Sequence, residues 1–255
     1  MSWSPDGKKM FVSDAGDNSE YVLDSNGKIL AQLKNLNMLG DRVWSSDSEK
    51  IIFSSQDSTV QWSIKSVGVS NGNHVTTLAK LPANYGVTQF SPDGKQAIVQ
   101  NLDKRDNTSP LQIWDLQTGK KIGELAVAHN RNAFGWAFSP DSSLLAIDDE
   151  GVINIYTSAD GKLLTSFENK VSGQGVHNIV WSPDGKYLAE SATVIKVYDV
   201  TAKKLVTTFG QVDAQHRITT LIWSSDGKGL ASSTLLLANN VPDVSDNRVS
   251  VWSLN

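Results

Sequence analysis

The chain has 255 residues, of which 39% are hydrophobic and 20% are charged, and its formal net charge is −4 at pH 7. These values are typical of a globular protein and not of a disordered one, and an acidic balance without a basic stripe argues against a general nucleic-acid binder. The chain contains no cysteine, which excludes disulfides and thiol catalysis, and no apolar run approaches the ~20 residues of a membrane span.

One short phrase, an aromatic residue followed by Ser-Pro-Asp-Gly-Lys or a variant of it, occurs six times. The aromatic residues are Trp3, Trp44, Phe90, Phe138, Trp181 and Trp223, which lie 41 to 48 residues apart. Pro fixes φ at the first corner of a tight turn, Asp accepts hydrogen bonds from backbone amides, and Gly tolerates a positive φ. Ser46 and Ser225 replace Pro in two copies, where the retained Asp predicts that the turn survives. A period of roughly 40–50 residues with short strands is typical of propeller blades.

The strands predicted from these repeats are short β-branched and aromatic runs between turn residues. In the first three repeats they span 1–4, 9–13, 20–24 and 28–33, then 39–45, 50–54, 59–64 and 74–79, then 86–91, 96–100, 111–116 and 121–126. In the last three repeats they span 133–139, 144–147, 152–156 and 162–167, then 177–182, 187–190, 195–200 and 204–209, then 218–224, 229–232 and 248–253. No window sustains a helical period, so almost no helix is expected.

The predicted fold is an all-β propeller of four-stranded antiparallel blades, with about six blades visible in a single domain over residues 1–255. The first blade has only a stub of its first strand, and the last blade lacks its fourth strand. An open sheet edge leaves backbone N–H and C=O groups unpaired. We therefore expect the chain to be the C-terminal part of a longer protein whose earlier segment completes these blades.

Three third strands end in a similar way: Leu-Gln-Ile-Trp-Asp-Leu at 111–116, Ile-Lys-Val-Tyr-Asp-Val at 195–200 and Val-Ser-Val-Trp-Ser-Leu at 249–254. Together with the turn phrase, these runs resemble prokaryotic WD-repeat and TolB-like propellers over essentially the whole chain.

The resemblance implies that each blade is braced by a hydrogen-bonded set of a His, an Asp six residues before the third-strand tryptophan, and that tryptophan. The positions that match are His129, Asp17, Asp246, Trp114 and Trp252. No repeat holds the complete set, so apolar packing is expected to supply most of the rigidity.

Motifs for catalysis or metal binding are not found. The sequence contains no nucleophile elbow, phosphate-binding loop, zinc-protease motif or dinucleotide fingerprint. The four histidines, His74, His129, His177 and His216, stand at different depths in their repeats, whereas a zinc site needs a fixed tetrahedral ligand set. We predict a non-enzymatic protein without a metal or cofactor.

Two polar residues interrupt an apolar column that lies two positions before the aromatic. Repeats 2 and 3 carry Arg42 and Thr88 there, so both are candidate channel-facing residues. For Arg42, two interpretations are open, because an unpaired buried charge is costly. The guanidinium could pair with Asp41 or with a carboxylate of a neighbouring blade, or it could contact an anion in the channel.

The second-to-third-strand connections and the blade-to-blade connections emerge on the same side of the predicted blades. The long and variable connections are all of these two kinds. The second-to-third-strand connections 102–109 and 235–247 are long, although 235–247 could instead extend the second strand. Variable loops on a rigid scaffold are where binding usually occurs. The candidate partner-binding residues are Arg105, Asn130, Arg131, Phe134 and Leu236.

The function predicted from the sequence is a scaffold that binds a protein or peptide on this side of the blades. Two alternatives are a ligand-sensing module of a larger receptor or kinase-type protein and an accessory propeller of a hydrolase. A cytoplasmic location is slightly favoured over export as part of a longer protein.

Overall fold

The computed structural model describes residues 1–14, 19–34, 36–57, 61–70, 74–103, 110–125, 127, 133–149, 151–168, 178–191, 194–211, 216–238 and 241–254. Over these residues the chain is built of β-strands and turns without a helix, which confirms the all-β prediction. No described segment therefore forms a helix long and apolar enough to cross a membrane. The chain divides into two compact units, Met1–Ala126 and Val127–Asn255.

The first unit contains three four-stranded antiparallel sheets whose strands pair in chain order. Sheet 1 contains β1 (Ser2–Trp3), β2 (Lys9–Asp14), β3 (Ser19–Asp24) and β4 (Ile29–Leu33). Sheet 2 contains β5 (Met38–Trp44), β6 (Lys50–Gln56), β7 (Trp62–Gly68) and β8 (Val75–Lys80). Sheet 3 contains β9 (Tyr85–Phe90), β10 (Gln96–Asn101), β11 (Leu111–Asp115) and β12 (Lys120–Leu125).

The second unit contains two four-stranded sheets and, within the described residues, one sheet of three strands. Sheet 4 contains β13 (Ala133–Phe138), β14 (Leu144–Asp149), β15 (Val152–Thr157) and β16 (Leu163–Glu168). Sheet 5 contains β17 (Asn178–Trp181), β18 (Tyr187–Ser191), β19 (Val194–Asp199) and β20 (Lys204–Gln211). Sheet 6 contains β21 (His216–Trp223), β22 (Gly229–Ala238) and β23 (Val241–Ser253).

The six repeated aromatic residues stand at one depth in their sheets, as predicted. In every sheet the aromatic residue pairs with the residue seven positions later in the next strand, for example Trp44 with Ile51 and Trp181 with Leu188. The register continues to the third strand, where Leu188 pairs with Tyr198. Each sheet is therefore the same unit repeated with different side chains.

The repeated turn is held by the same three hydrogen bonds in each copy. In sheet 5, Ser182 Oγ donates to Asp184 Oδ1 at 2.5 Å and accepts from the Tyr187 N–H at 2.8 Å, and Asp184 Oδ1 accepts from the Lys186 N–H at 3.0 Å. The other five turns repeat these contacts.

The backbone of the turn also follows the prediction. Gly185 has a φ of 71°, and where the sequence has no glycine, Ser48 and Ser142 adopt 61° and 62°. The two turns without Pro close with Ser48 N–H to Ser45 O at 2.9 Å and Gly227 N–H to Ser224 O at 3.0 Å. The Ser–Asp–backbone bonds therefore form the turn with or without Pro.

Apolar side chains fill the space between successive sheets within each unit. Between sheets 4 and 5 the buried cluster contains Ala146, Ile153, Ile155, Phe167, Ile179, Trp181, Leu188, Tyr198 and Val200. A corresponding cluster joins sheets 5 and 6, and two more join sheets 1 to 2 and 2 to 3. The tryptophans add a polar contact, because Trp181 Nε1 donates to Ala137 O of the preceding sheet at 2.9 Å.

Two predicted strands are placed differently. The third strand of sheet 2 was predicted at 59–64 on the strength of Trp62, but β7 covers Trp62–Gly68, and Val67 takes the register position that Trp114 has in sheet 3. For 235–247 the sequence left a loop and an extension of the second strand open, and the structure has the extension, because β22 and β23 continue through most of it. Hydrogen-bonding partners across the sheet decide both boundaries.

Candidate partner-binding surface

The long hairpin of sheet 6 is the largest departure from the repeat. β22 has 10 residues and β23 has 13, against at most eight in the other strands. The regular pairing reaches Thr234 opposite Arg248, then shifts register and resumes from Leu236–Asp243 to Ala238–Val241. We call residues 235–238 and 241–247 the ribbon.

The sequence of the ribbon explains why it is a strand extension and not a loop. The run Thr-Leu-Leu-Leu-Ala at 234–238 continues β22 without a turn residue, and the strand β21 accompanies it as far as His216 opposite Leu236. Pro242 has no N–H to give, and β23 is the edge strand of sheet 6 within the described residues, where Pro is tolerated. This apolar run is the feature of the sequence that indicates an extended strand in the ribbon.

The structure describes the backbone of two of the five candidate partner-binding residues. Arg105, Asn130 and Arg131 lie outside the described residues. Phe134 stands in β13 where the register shifts between Ala133 and Gly135. Leu236 stands in the ribbon. All five remain predictions.

Arg42 is bound by the neighbouring sheet. Its Nη2 lies 3.0 Å from Glu20 Oε1, its Nη1 donates to Ser13 Oγ at 3.3 Å, and its guanidinium lies 5.8 Å from the centre of the Phe11 ring. These three partners belong to sheet 1, and Nη2 also donates to Met38 O of sheet 2 at 3.4 Å. Of the two interpretations left open by the sequence, the structure contains the ion pair with a neighbouring carboxylate.

Thr88, the second candidate channel-facing residue, is also engaged within the fold. Its Oγ1 donates to Ile98 O at 3.1 Å, beside the register shift between Ile98 and Val99 of β10. The hydroxyl thus satisfies a carbonyl at an irregular point of sheet 3.

Two tryptophans of the third strands donate hydrogen bonds to polar side chains of their own sheets. Trp114 Nε1 donates to Gln112 Oε1 at 2.9 Å, and Trp252 Nε1 donates to Ser232 Oγ at 3.1 Å. His129 and Asp17 lie outside the described residues, and Asp246 lies in the ribbon. The sequence did not identify Gln112 and Ser232 as partners of these tryptophans, because polar residues of these types are common.

A buried polar group lies where sheets 4 and 5 meet. Tyr198 Oη is buried, and it has no hydrogen-bond partner among the described residues. Burial raises the pKa of Tyr198 above its ordinary value, and the carboxylates of Glu190 and Asp148 raise it further. Asp148 and Glu190 are fully buried and engaged in contacts of their own. This cluster lies within the second unit and serves its packing.

The described residues offer little for catalysis or metal binding. Within them no three His, Cys, Asp or Glu side chains come together as metal ligands. A cavity of about 300 Å³ lies at the outer edge of sheet 2, and its lining includes Glu49, Lys50, Ser66 and His74. Most of the residues that line it are exposed, whereas small-molecule sites bury most of their ligand.

Comparison with known proteins matches these repeats. Residues 136–226 match the family model described as the anaphase-promoting complex subunit 4 WD40 domain. No curated protein sequence matches the chain.

Solved structures extend the likeness to the whole chain. The C-terminal WD40 domain of Sif2 is similar with a TM-score of 0.67 at 16% identity, over 99% of this chain and 65% of that one. A eukaryotic initiation factor is similar with a TM-score of 0.63 at 14% identity, over 99% of this chain and 61% of that one. The chain thus spans less than two thirds of either solved chain. By its repeated turns, its strand register and these likenesses, the chain has the β-propeller fold of the WD40 domain of Sif2, and residues 136–226 match a WD40 family model.

Proposed function

We propose that the chain is a non-enzymatic scaffold that binds a protein or peptide through the side of sheet 6 where the ribbon projects. WD40 domains are generally protein-interaction scaffolds and generally lack catalytic activity. The observation that carries the proposal is the ribbon, which lengthens the two strands β22 and β23 of a packed sheet to 10 and 13 residues.

The ribbon has the properties of a binding element. β23 pairs on one side with β22 and, within the described residues, has no strand on its other side. An edge strand of this kind offers a row of N–H and C=O groups to which an extended segment of a partner can add. Apolar packing in sheets 5 and 6 holds the base of the ribbon, so the partner would meet a preorganised edge.

The sequence predicts further partner-binding residues. Arg105, Asn130 and Arg131 stand in predicted second-to-third-strand or blade-to-blade connections, and Phe134 stands near the start of β13. They offer the polar and aromatic anchors typical of interface hot spots, namely Arg and an aromatic ring. We propose each of these residues, and Leu236, as a partner contact.

The test removes the ribbon and leaves the sheet intact. Residues 235–247 are replaced by Asn-Gly, so that the paired residues Thr234 and Arg248 are joined by a two-residue hairpin turn. The matched control is Lys8→Ala/Lys228→Ala, which changes exposed side chains of the repeated turns. Partners are recovered from lysate with tagged protein and quantified by mass spectrometry.

We expect specific partner recovery to fall at least about tenfold for the shortened variant and to remain at the wild-type level for the control. Circular dichroism and thermal unfolding establish that both variants are folded. Wild-type recovery by a folded, shortened variant would refute the assignment of the ribbon.

A further inference from the structure

The outermost strands of sheets 4 and 5 expose apolar side chains in pairs. β16 begins with Leu163 and Leu164, which are 51% and 44% exposed. β20 carries Leu205 and Val206, which are 49% and 43% exposed. In a regular strand, consecutive side chains point to opposite faces, so the exposure of both members of a pair needs a local cause.

The cause is a β-bulge at the same place in both strands. In sheet 4, two successive residues of β15 pair with Thr165 and Leu163, so Leu164 is an extra residue between them. In sheet 5, the register skips Val206 in the same way. A β-bulge bends its strand and redirects a side chain. The bulges therefore explain why both members of each pair are exposed.

The two pairs lie next to each other on the outside of the second unit. Sheets 4 and 5 pack together, and Lys203 Nζ, from the turn before β20, lies 3.5 Å from Leu164 O of β16. Four aliphatic side chains exposed to this degree leave roughly 300 Å² of apolar surface in water, a size at which a patch on a soluble protein is often functional. We call Leu163, Leu164, Leu205 and Val206 the rim patch.

Three lysines stand beside the rim patch. Lys162 directly precedes the first apolar pair, and Lys203 and Lys204 directly precede the second. All three side chains are exposed, and none of them forms an ion pair with a described residue. Positive charges without a carboxylate partner favour an anionic binding partner.

The carboxylates nearest to these lysines in sequence serve the turns. Asp160 accepts hydrogen bonds from the Thr157 hydroxyl and from the Lys162 N–H. Asp199 is 8% exposed and accepts a hydrogen bond from the Ala202 N–H at 2.7 Å. Since lysine side chains are long and these carboxylates are held in their turns, the positive charges are the ones that reach an approaching partner.

The backbone of the two strands argues against an added peptide strand. β16 and β20 are the outermost strands of their sheets within the described residues, and an extended peptide would pair with such a free edge. Bulges and lysines are the features by which natural sheet edges block strand addition, and both occur where that pairing would begin. Protruding aliphatic side chains beside lysines instead fit a surface that needs no backbone partner, such as the interface of an anionic membrane.

We infer that the rim patch docks on membranes that contain anionic lipid. Its four aliphatic side chains enter the boundary between headgroups and acyl chains, and the three lysines contact the lipid phosphates and carboxylates. Binding is reversible, because the apolar area is small and no acyl chain or spanning segment is involved in it. The rim patch lies on the outer strands and not on the ribbon, so the inference goes beyond the proposed partner binding.

The experiment measures co-sedimentation with vesicles. The protein is mixed with vesicles of phosphatidylcholine alone, or with vesicles in which about 30% of the lipid is phosphatidylserine. Wild-type protein should bind the phosphatidylserine vesicles at least about tenfold more tightly than the neutral ones at low salt. Salt at about 0.5 M should remove most of this preference.

The test variant is Leu164→Ser/Val206→Ser, which should bind the phosphatidylserine vesicles at least about tenfold more weakly than the wild type. The matched control is Leu30→Ser/Ile122→Ser. Leu30 and Ile122 hold the same bulge position in sheets 1 and 3 and are 44% and 38% exposed. Sheet 2 lies between those two sheets, so the control removes a similar apolar area that is not gathered in one patch, and it should bind as the wild type does.

Charge is tested by Lys162→Gln/Lys204→Gln, which should reduce the preference for phosphatidylserine and leave the binding to neutral vesicles unchanged. Circular dichroism and thermal unfolding establish that every variant is folded. Three results would overturn the inference: no binding of the wild type to phosphatidylserine vesicles, equal binding to both kinds of vesicle, or equal losses in the serine test variant and its control. A patch that serves an acidic peptide would give the first of these results.

The position of the contact is read with a fluorophore, because the chain has no cysteine of its own. Leu164→Cys and Leu30→Cys are each labelled with a polarity-sensitive dye. Emission from position 164 should shift to shorter wavelength on phosphatidylserine vesicles, whereas emission from position 30 should stay unchanged. No shift at position 164, or an equal or larger shift at position 30, would place the contact elsewhere and overturn the inference.

The ribbon-shortened variant keeps this result apart from the proposed function. It retains the rim patch and its lysines, so it should bind the vesicles as the wild type does. Loss of partner recovery with unchanged vesicle binding would support both statements, and failure of either measurement leaves the other to be judged by its own result.

Discussion

Arg42 carries a charge at a position where sheets 4, 5 and 6 have Trp136, Ile179 and Leu221. The charge is tolerated because Glu20 of the adjacent sheet lies 3.0 Å from the guanidinium. Removing either partner alone would leave a charge without compensation. Glu20 belongs to a different repeat, so the sequence could suggest a carboxylate but could not say which one.

Tyr198 has a buried hydroxyl whose hydrogen-bonding capacity is unused among the described residues. Tyr198→Phe is expected to raise the free energy of unfolding by about 1 kcal/mol, because the cost of burying an unsatisfied polar group disappears. Urea unfolding at neutral pH measures the change.

The matched control is Tyr156→Phe. Tyr156 holds the same register position in sheet 4 and is engaged in a further interaction of its own. The same substitution should therefore bring no gain there. A loss of stability in Tyr198→Phe as large as that in Tyr156→Phe would contradict the assignment.

The turn aspartates link stability to pH. In Asp141 and Asp184 the hydrogen bond from the turn serine, and then a backbone N–H, lowers the pKa below the ordinary 3.8. A carboxyl with a lowered folded-state pKa stabilises the fold above the unfolded pKa, and this stabilisation is lost as the pH falls through the folded-state pKa. Wild-type stability should therefore decline from about pH 4 downward.

Asp141→Asn/Asp184→Asn tests this linkage, because an amide oxygen can accept the same hydrogen bonds and has no proton to titrate. The variant should be less stable than the wild type at pH 7 and should lose less stability between about pH 5 and pH 2. Urea midpoints measured across that range give the comparison. Parallel pH profiles would rule out the linkage at these two turns.

At the scale of elements, register decides which residues act alike. Trp62 lies in the third strand predicted at 59–64, yet Val67 occupies the position that Trp114 has in sheet 3, because β6 pairs Ile51 with Val67. A tryptophan strongly favours a strand, but it does not determine the register between that strand and its partner. Only the ladder of hydrogen bonds between β6 and β7 fixes that.

The contact between sheets is predicted to depend on the indole hydrogen bond. Trp181→Phe should cost about 2 kcal/mol, from the lost bond to Ala137 O and the space left by the smaller ring. Urea unfolding in dilute solution measures it. Trp3→Phe is the control, since Trp3 is 55% exposed and should change stability by no more than about 0.5 kcal/mol. Equal effects at the two positions would contradict a stabilising role for the bond.

At the scale of the whole molecule, the fold is common. Matches to 1320 solved chains support the architecture alone, because function belongs to sites built on folds. Among the described residues, the feature that distinguishes this chain is the ribbon of sheet 6.

The sequence by itself determined the repeat, its turns and the all-β class. These depend on local chemistry: Ser, Asp and Gly specify the turn within a few residues, and the period of the aromatics specifies one sheet per repeat. The tertiary structure alone decided that 235–247 is largely strand, that Arg42 pairs with Glu20, and that Leu164 and Val206 are exposed. Each of these features depends on contacts between residues far apart in the chain, or on which side chains pack against a sheet face. Local sequence determines neither of these two things.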